Sequence, residues 1–144
     1  MRIAALGFFL LSFTAGTAIA QQITVQLLDG RNGHPLKNQV LDLWFGNHPS
    51  AAPLQARTGQ NGTAVVNVPE DARSFVAAGE WSADCRGGNQ PGESYIDATV
   101  YAITAVMSTG IVAENRCGET SQHPVPGTFT FFVRPMHWWE KMRD

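Results

Sequence analysis

The chain has 144 residues, of which 15 % are charged, and a formal net charge of −2 at neutral pH. This length is typical of one ordinary domain that can bury a real hydrophobic core without many crosslinks. Its few charges are scattered, so the chain lacks the dense basic surface that binding to a phosphate backbone requires, and no nucleic-acid partner is expected.

Residues 1–20 are predicted to form an export signal that is cleaved and takes no part in the fold. They contain one early basic residue, Arg2, an apolar run over residues 3–13 and a small-residue site at residues 18–20. This arrangement is typical of a secretory signal. The run is short for a membrane span, which disfavours the alternative of an uncleaved anchor. We therefore expect a secreted or periplasmic protein with no stable membrane insertion after signal cleavage.

The first half of the exported chain shows the alternation of β-strands, interrupted by turn residues. Ile23, Val25 and Leu27 alternate with polar neighbours, although Leu28 breaks the polar parity. The Asn-Gly pair at residues 61–62 is a strong hairpin signal. The predicted strands cover residues 23–28, 40–45, 54–58 and 63–68.

The middle of the chain is less regular. A strand begins at Phe75 and is predicted to run on through Trp81. Between residues 95 and 112 two interpretations compete, because alternation favours a strand while the helix formers before Gly110 favour a helix that this glycine caps. We expect a strand near residues 96–101 followed by a short helix.

The last predicted strand, residues 128–134, places three apolar side chains on one face and ends at Pro135. Phe132 lies among the polar residues of the other face. Several short strands separated by turn residues, with no helix of ordinary length, predict an all-β fold. We expect a single antiparallel β-sandwich over residues 21–135 with a short helix, followed by an aromatic tail at residues 136–144.

Cys85 and Cys117 both lie in the exported part of the chain. An oxidising compartment favours their pairing, and the bridge would close a loop worth roughly 3–4 kcal/mol in the chain-entropy model. The alternative is a pair of separate buried thiols. Two cysteines without a nearby C-x-x-C do not form a zinc framework.

Two stretches carry a pattern of turns and strands, "ITVQLLDGRNGHPLKNQVLDLWFG" from residue 23 and "LQARTGQNGTAVVNVPE" from residue 54. A first strand leads to Gly33, Pro35-Leu36 and a second strand; Thr58, a turn centred on Gly62 and an apolar strand follow. This pattern resembles the prealbumin-like (transthyretin-like) β-sandwich of the carboxypeptidase regulatory-like superfamily. The resemblance implies a sandwich of about seven or eight strands acting as an accessory, adhesion or ligand-contact module.

No group of residues in the sequence predicts catalysis or a metal site. A nucleophile needs a base and an orienting group, no serine lies in G-x-S-x-G, and bridged cysteines leave no thiol nucleophile. His137 and Glu140 have metal-ligand spacing without a third ligand. Asp29 and Asn32 supply too few carboxylates for calcium and are better explained as turn residues. We predict no enzyme, no cofactor and no metal.

The tryptophans are the remaining candidates for function. If Leu43 and Phe45 face the core, Trp44 faces outward, where a flat ring could contact a sugar or a partner; the alternative is that Trp44 packs beneath the tail. Trp138 and Trp139 in the tail either lock the fold or dock a partner. We therefore predict a non-catalytic module that binds a protein or an envelope glycan through these three residues. The alternatives are a small carbohydrate-binding module and, third, a small hydrolase.

Overall fold

The computed structural model describes residues 21–46, 52–79, 82–86 and 99–136. These residues form nine strands and one short helix in two sheets, which confirms the predicted all-β sandwich. The elements are β1 (Gln22–Asp29), β2 (Val40–Phe45), β3 (Leu54–Arg57), β4 (Thr63–Asn67), β5 (Ser74–Gly79), β6 (Ser82–Asp84), β7 (Tyr101–Ala102), α1 (Ile103–Ser108), β8 (Ile111–Val112) and β9 (Thr128–Pro135).

The first sheet has the strand order β4-β1-β9-β6, and β8 also pairs with β9. β1 pairs antiparallel with β4 but parallel with β9, where Thr24 lies opposite Thr128 and Leu28 opposite Phe132. β8 is also parallel to β9. The prediction of a purely antiparallel sandwich is therefore wrong for this sheet. Alternation within one strand fixes which side chains are buried, but it carries no information on which distant strand lies alongside.

The second sheet has the order β3-β2-β5-β7, and all of its pairs are antiparallel. The chain returns to the first sheet through the turn between β3 and β4. These two strands lie in different sheets and do not pair with each other, so the hairpin indicated by the Asn-Gly pair is wrong, although the turn itself is present. Gly62 stands in this turn with φ +72°, and an added Cβ would lie 2.8 Å from Pro35 Cβ and 2.9 Å from Leu27 O. Only a glycine fits such an approach, so the turn packs directly against β1 and the connection that follows it.

One hydrophobic core fills the space between the two sheets. Phe75 from β5, Tyr101 from β7 and Phe129 from β9 meet there, and the Phe75 and Phe129 rings pack edge to face with centroids 5.1 Å apart. The Tyr101 ring lies 4.5 Å from that of Phe129. These side chains come from both sheets, and edge-to-face contacts of this kind stabilise a sandwich beyond the area they bury.

Arg86 closes one end of this core. Its guanidinium lies 4.6 Å from the centroid of the Phe131 ring and donates hydrogen bonds to Ala77 O at 2.8 Å and to the Tyr101 hydroxyl at 3.1 Å. The cation therefore sits over an aromatic face while its N–H groups are bonded. This set of contacts links β9, β5 and β7 and assigns Arg86 a packing role.

The predicted short helix is confirmed as α1. It buries Ile103 and Val106 and ends just before Gly110, which has φ +76° and whose N–H donates to Ala105 O and Val106 O. The capping prediction for Gly110 is thus correct. Of the predicted strand at residues 96–101, only the end is described, and there the chain is in β7 from Tyr101.

The strand predicted to run from Phe75 through Trp81 is divided in the structure. β5 ends at Gly79 in the second sheet, and β6 begins at Ser82 in the first sheet. Trp81 itself lies outside the described residues. No helix in the described part of the chain is long and apolar enough to cross a bilayer.

Candidate functional site

The outer face of the first sheet is covered at one end by a second, smaller core. Leu28 and Phe132, which are direct partners in the β1–β9 register, are fully buried there beside Cys85. Val112 and Cys117 pack against them. Leu28 and Phe132 lie on the side of the sheet that faces away from the main core. The segment that carries the disulfide must therefore shield them from water.

The predicted disulfide is present between Cys85 and Cys117. Cys85 is held to β9 by the hydrogen bond from its N–H to Phe132 O at 3.2 Å, and Arg116 N donates to Cys85 O at 2.7 Å. The bridge thereby attaches the segment after β8 to the sheet directly over Phe132. We call residues 113–120, with this bridge, the disulfide loop.

Asn115 fixes the disulfide loop to the turn after β1. Its amide nitrogen donates to Gly30 O at 2.8 Å and to Thr120 O at 2.9 Å, while its side-chain oxygen accepts from Cys117 N. A Cβ at Gly30 would lie 2.6 Å from both Cys85 Sγ and Asn115 Oδ1. The turn and the loop are therefore in contact at a position where any side chain would collide.

At the other end, the same face of the first sheet is polar and in partial contact with solvent, although Thr130, next to the smaller core, is still buried. The outward side chains of β4, β1 and β9 lie in cross-strand rows. Between β1 and β4 the rows are Gln22 with Asn67, Thr24 with Val65, and Gln26 with Thr63. The last two rows continue onto β9, at Thr128 and Thr130. We call this surface the polar face. It comprises Gln22, Thr24, Gln26, Thr63, Val65, Asn67, Thr128 and Thr130.

Two cross-strand hydrogen bonds order the polar face. Gln22 Nε2 donates to Asn67 Oδ1 at 2.8 Å, and Thr130 Oγ1 donates to Gln26 Oε1 at 3.1 Å. Gln22 and Asn67 are exposed, and Val65 exposes 65 % of its surface at the middle of the edge strand. The amides are thus held in defined positions while they remain in contact with water.

Of the two interpretations of Trp44, an exposed contact and a packed side chain, the structure favours packing. Trp44 does point away from the main core, because its neighbours Leu43 and Phe45 pack into that core and it does not, but only 8 % of Trp44 is exposed. Alternation gave its side of the sheet correctly. It could not show that this side is covered at Trp44, because covering depends on segments distant in sequence. A flat ring open to a ligand is therefore absent at this position.

Asp29 is the last residue of β1, one position before the turn that it was predicted to begin. Arg31 donates to its carboxylate from Nε and the backbone N–H, both at 3.0 Å, and from Nη2 at 2.6 Å. The hydrogen bond from the Arg31 side chain lowers the pKa of Asp29 below its ordinary value. Asp29 is buried and fully occupied by this partner, so the pair is structural.

Trp138 and Trp139 lie outside the described residues, as do His137 and Glu140. Within the described ranges, no three His, Cys, Asp or Glu side chains come close enough to hold a metal ion. The polar face was not predicted from the sequence. The sequence does contain Thr and Gln at the outward positions of the first and last strands. Such residues are ordinary on a solvent-facing strand, and only the pairing of β1 with β9 shows that they lie side by side.

Comparison of the chain with protein-family models, with curated proteins and with solved structures finds no match to any of them.

Proposed function

We propose that the chain is an exported, non-catalytic interaction module that binds a protein or another component of the cell envelope. The observation that carries the proposal is the polar face. Its amides Gln22, Gln26 and Asn67 are held by cross-strand hydrogen bonds and yet contact solvent, and an ordered surface loses less conformational entropy when a ligand binds.

The described polar groups support a role without catalysis. The carboxylate of Asp29, whose pKa is lowered by its hydrogen bond with Arg31, is held by that arginine at the end of β1. Both cysteines are joined in the disulfide and cannot serve as nucleophiles. A catalytic acid or base is usually a perturbed group inside a cleft, and Asp29 does not fit that description because its partner is structural.

Export is supported by the disulfide, because such bonds persist in oxidising compartments outside the cytosol. The signal sequence predicted at residues 1–20 accounts for how the chain would reach that compartment. Secretion or periplasmic residence is therefore part of the proposal.

A prealbumin-like relationship is part of the same proposal. The pattern that carries the resemblance falls on β1 to β4, with Gly62 at the tight turn between β3 and β4. These elements contribute to both sheets of the sandwich. The pattern thus coincides with the part of the fold that joins the sheets.

The aromatic part of the proposal now rests on the tail. Because Trp44 is buried, its contribution is packing, and Trp138 and Trp139 remain the candidate aromatic contacts. Replacing both tail tryptophans by Ala separates docking from fold stabilisation. Loss of binding at an unchanged melting temperature indicates a contact site, and a lower melting temperature indicates a fold lock.

The experiment that tests the function is capture from a cell-envelope fraction of the source organism by immobilised protein spanning residues 21–144. The proposal predicts retention of at least one envelope component that a surface coated with serum albumin does not retain. If the two surfaces retain the same material, the chain is not an envelope-binding module.

A further inference from the structure

We propose that the polar face binds an uncharged glycan chain. This inference rests on the proposed function, because it assigns a ligand class to the surface that carries that function. It is derived from the charge, the hydrogen-bonding groups and the size of that surface.

The polar face carries no charged side chain. The three cross-strand rows of the polar face contain amides, hydroxyls and Val65 but no ionisable side chain, although the chain carries 22 charged residues. Charged side chains on the strands concerned lie only at their ends, at Asp29 and Arg134. An acidic or basic ligand would lose its hydration here without gaining an opposite charge, whereas a neutral ligand avoids that cost.

The amides and hydroxyls of the polar face retain hydrogen-bonding capacity for a ligand. Gln22, Gln26 and Asn67 each use one group in a cross-strand bond, and an amide side chain can donate two hydrogen bonds and accept two. The remaining capacity, with the hydroxyls of Thr24 and Thr128, offers donors and acceptors together. Sugar hydroxyls are themselves both donors and acceptors, so the two sets of groups are complementary.

The size of the polar face suits a short stretch of a glycan chain. Strands in a sheet lie about 4.8 Å apart and outward residues repeat about every 6.8 Å, so the three rows span roughly 10 Å by 14 Å. Val65 supplies an exposed apolar spot on this surface. The covered row of Leu28 and Phe132 follows the row of Gln26 and Thr130, so the residues packed around the disulfide bound the polar face at this end.

A protein partner fits this surface less well. Protein interfaces concentrate their binding energy in buried aromatic or arginine anchors, and the polar face offers Val65 alone as an apolar contact. Strand addition at β4 is the alternative route, because β4 stands at the end of the sheet path. The test therefore distinguishes a glycan from a polypeptide.

Asn67→Asp is the informative variant. An Asp at this position keeps an oxygen that accepts from Gln22 Nε2, so the cross-strand bond remains, but the face gains a negative charge and loses an amide donor. The matched control is Asn32→Asp on the turn after β1, where the side-chain oxygen likewise accepts a hydrogen bond, from His34 N at 2.9 Å. Both asparagines are exposed.

Binding is measured with a cell-envelope fraction divided into three parts: untreated, digested with proteinase K, and oxidised with periodate, which cleaves vicinal diols of sugars. The inference predicts that binding survives the protease and is lost after periodate. Asn67→Asp is expected to weaken binding to the protease-treated fraction by about tenfold or more, and Asn32→Asp to leave it unchanged.

Three results overturn the inference. Loss of binding after proteinase K identifies a protein ligand and leaves the proposed function standing. Equal affinities of Asn67→Asp and the unaltered protein show that the ligand binds elsewhere. Absence of binding to the untreated fraction removes the proposed function itself together with the glycan. The melting temperatures of both variants confirm that each is folded.

Discussion

The two ends of the outer face of the first sheet differ although they are built from the same two strands. At one end, Leu28 and Phe132 lie side by side and are fully buried under the disulfide loop. Two residues earlier on each strand, Gln26 is half-buried and Thr130 is still buried, and only the next row, Thr24 with Thr128, is half-exposed on both strands. The change from a small core to a solvated surface therefore takes two rows, and the disulfide loop closes only one end of the face.

The largest difference between the two ends is expected for Phe132→Ala. Phe132 is fully buried in the smaller core, so its removal should lower the free energy of unfolding by about 3–5 kcal/mol. Urea unfolding followed by fluorescence measures this loss. A loss below about 1 kcal/mol would mean that the covered end resembles an ordinary solvated surface.

Removal of the disulfide by Cys85→Ala with Cys117→Ala is the next largest test. Releasing a bridge across 32 positions should cost about 3–4 kcal/mol, because the unfolded chain regains loop entropy. Thermal unfolding of the unaltered protein with and without a reducing agent gives the same comparison. The double variant serves as the control, since a reductant should leave its melting temperature unchanged.

A smaller effect is expected for Gly30→Ala, which tests contact between the β1 turn and the disulfide loop. The new methyl group would lie 2.6 Å from Cys85 Sγ and Asn115 Oδ1, and relieving this clash should cost about 1–3 kcal/mol. Gly59→Ala is the matched control, because a Cβ there meets its nearest neighbour at 3.5 Å. Equal stabilities of the two variants, measured in urea, would refute the close packing.

The smallest effect is expected at the open end. Thr24→Ala removes a half-buried hydroxyl from the middle of the polar face, and the change in unfolding free energy should stay within about 0.5 kcal/mol. Under the glycan proposal the same variant reduces binding to the protease-treated envelope fraction. A large loss of stability would instead place Thr24 in a structural network.

Alternation in the sequence was sufficient to locate most strands and the main core. Ile23, Val25 and Leu27 face inward as predicted, and so do Phe129 and Phe131. Gly110 also ends the helix as predicted, because a backbone position with positive φ after a helix is a local signal that favours glycine. These features are encoded within a few neighbouring residues, which is why the sequence reveals them.

The features that the sequence did not reveal depend on distant contacts. Leu28 and Phe132 are each an apolar residue on the otherwise polar, outward-facing side of a strand. Only the parallel register of β1 with β9 shows that the two lie directly opposite each other. The polar face arises from that register as well. Trp44 was assigned to the correct side of its strand, but its burial depends on what covers that side.

The most direct test of the covered and open ends is a double-mutant cycle between Phe132 and the disulfide. The unfolding free energy lost through Phe132→Ala is measured in the unaltered protein and in the variant lacking both cysteines. If the disulfide loop shields Phe132, the loss is smaller without the bridge, with a coupling of about 1–2 kcal/mol. An identical loss in both backgrounds would contradict the assignment of a second core beneath the disulfide.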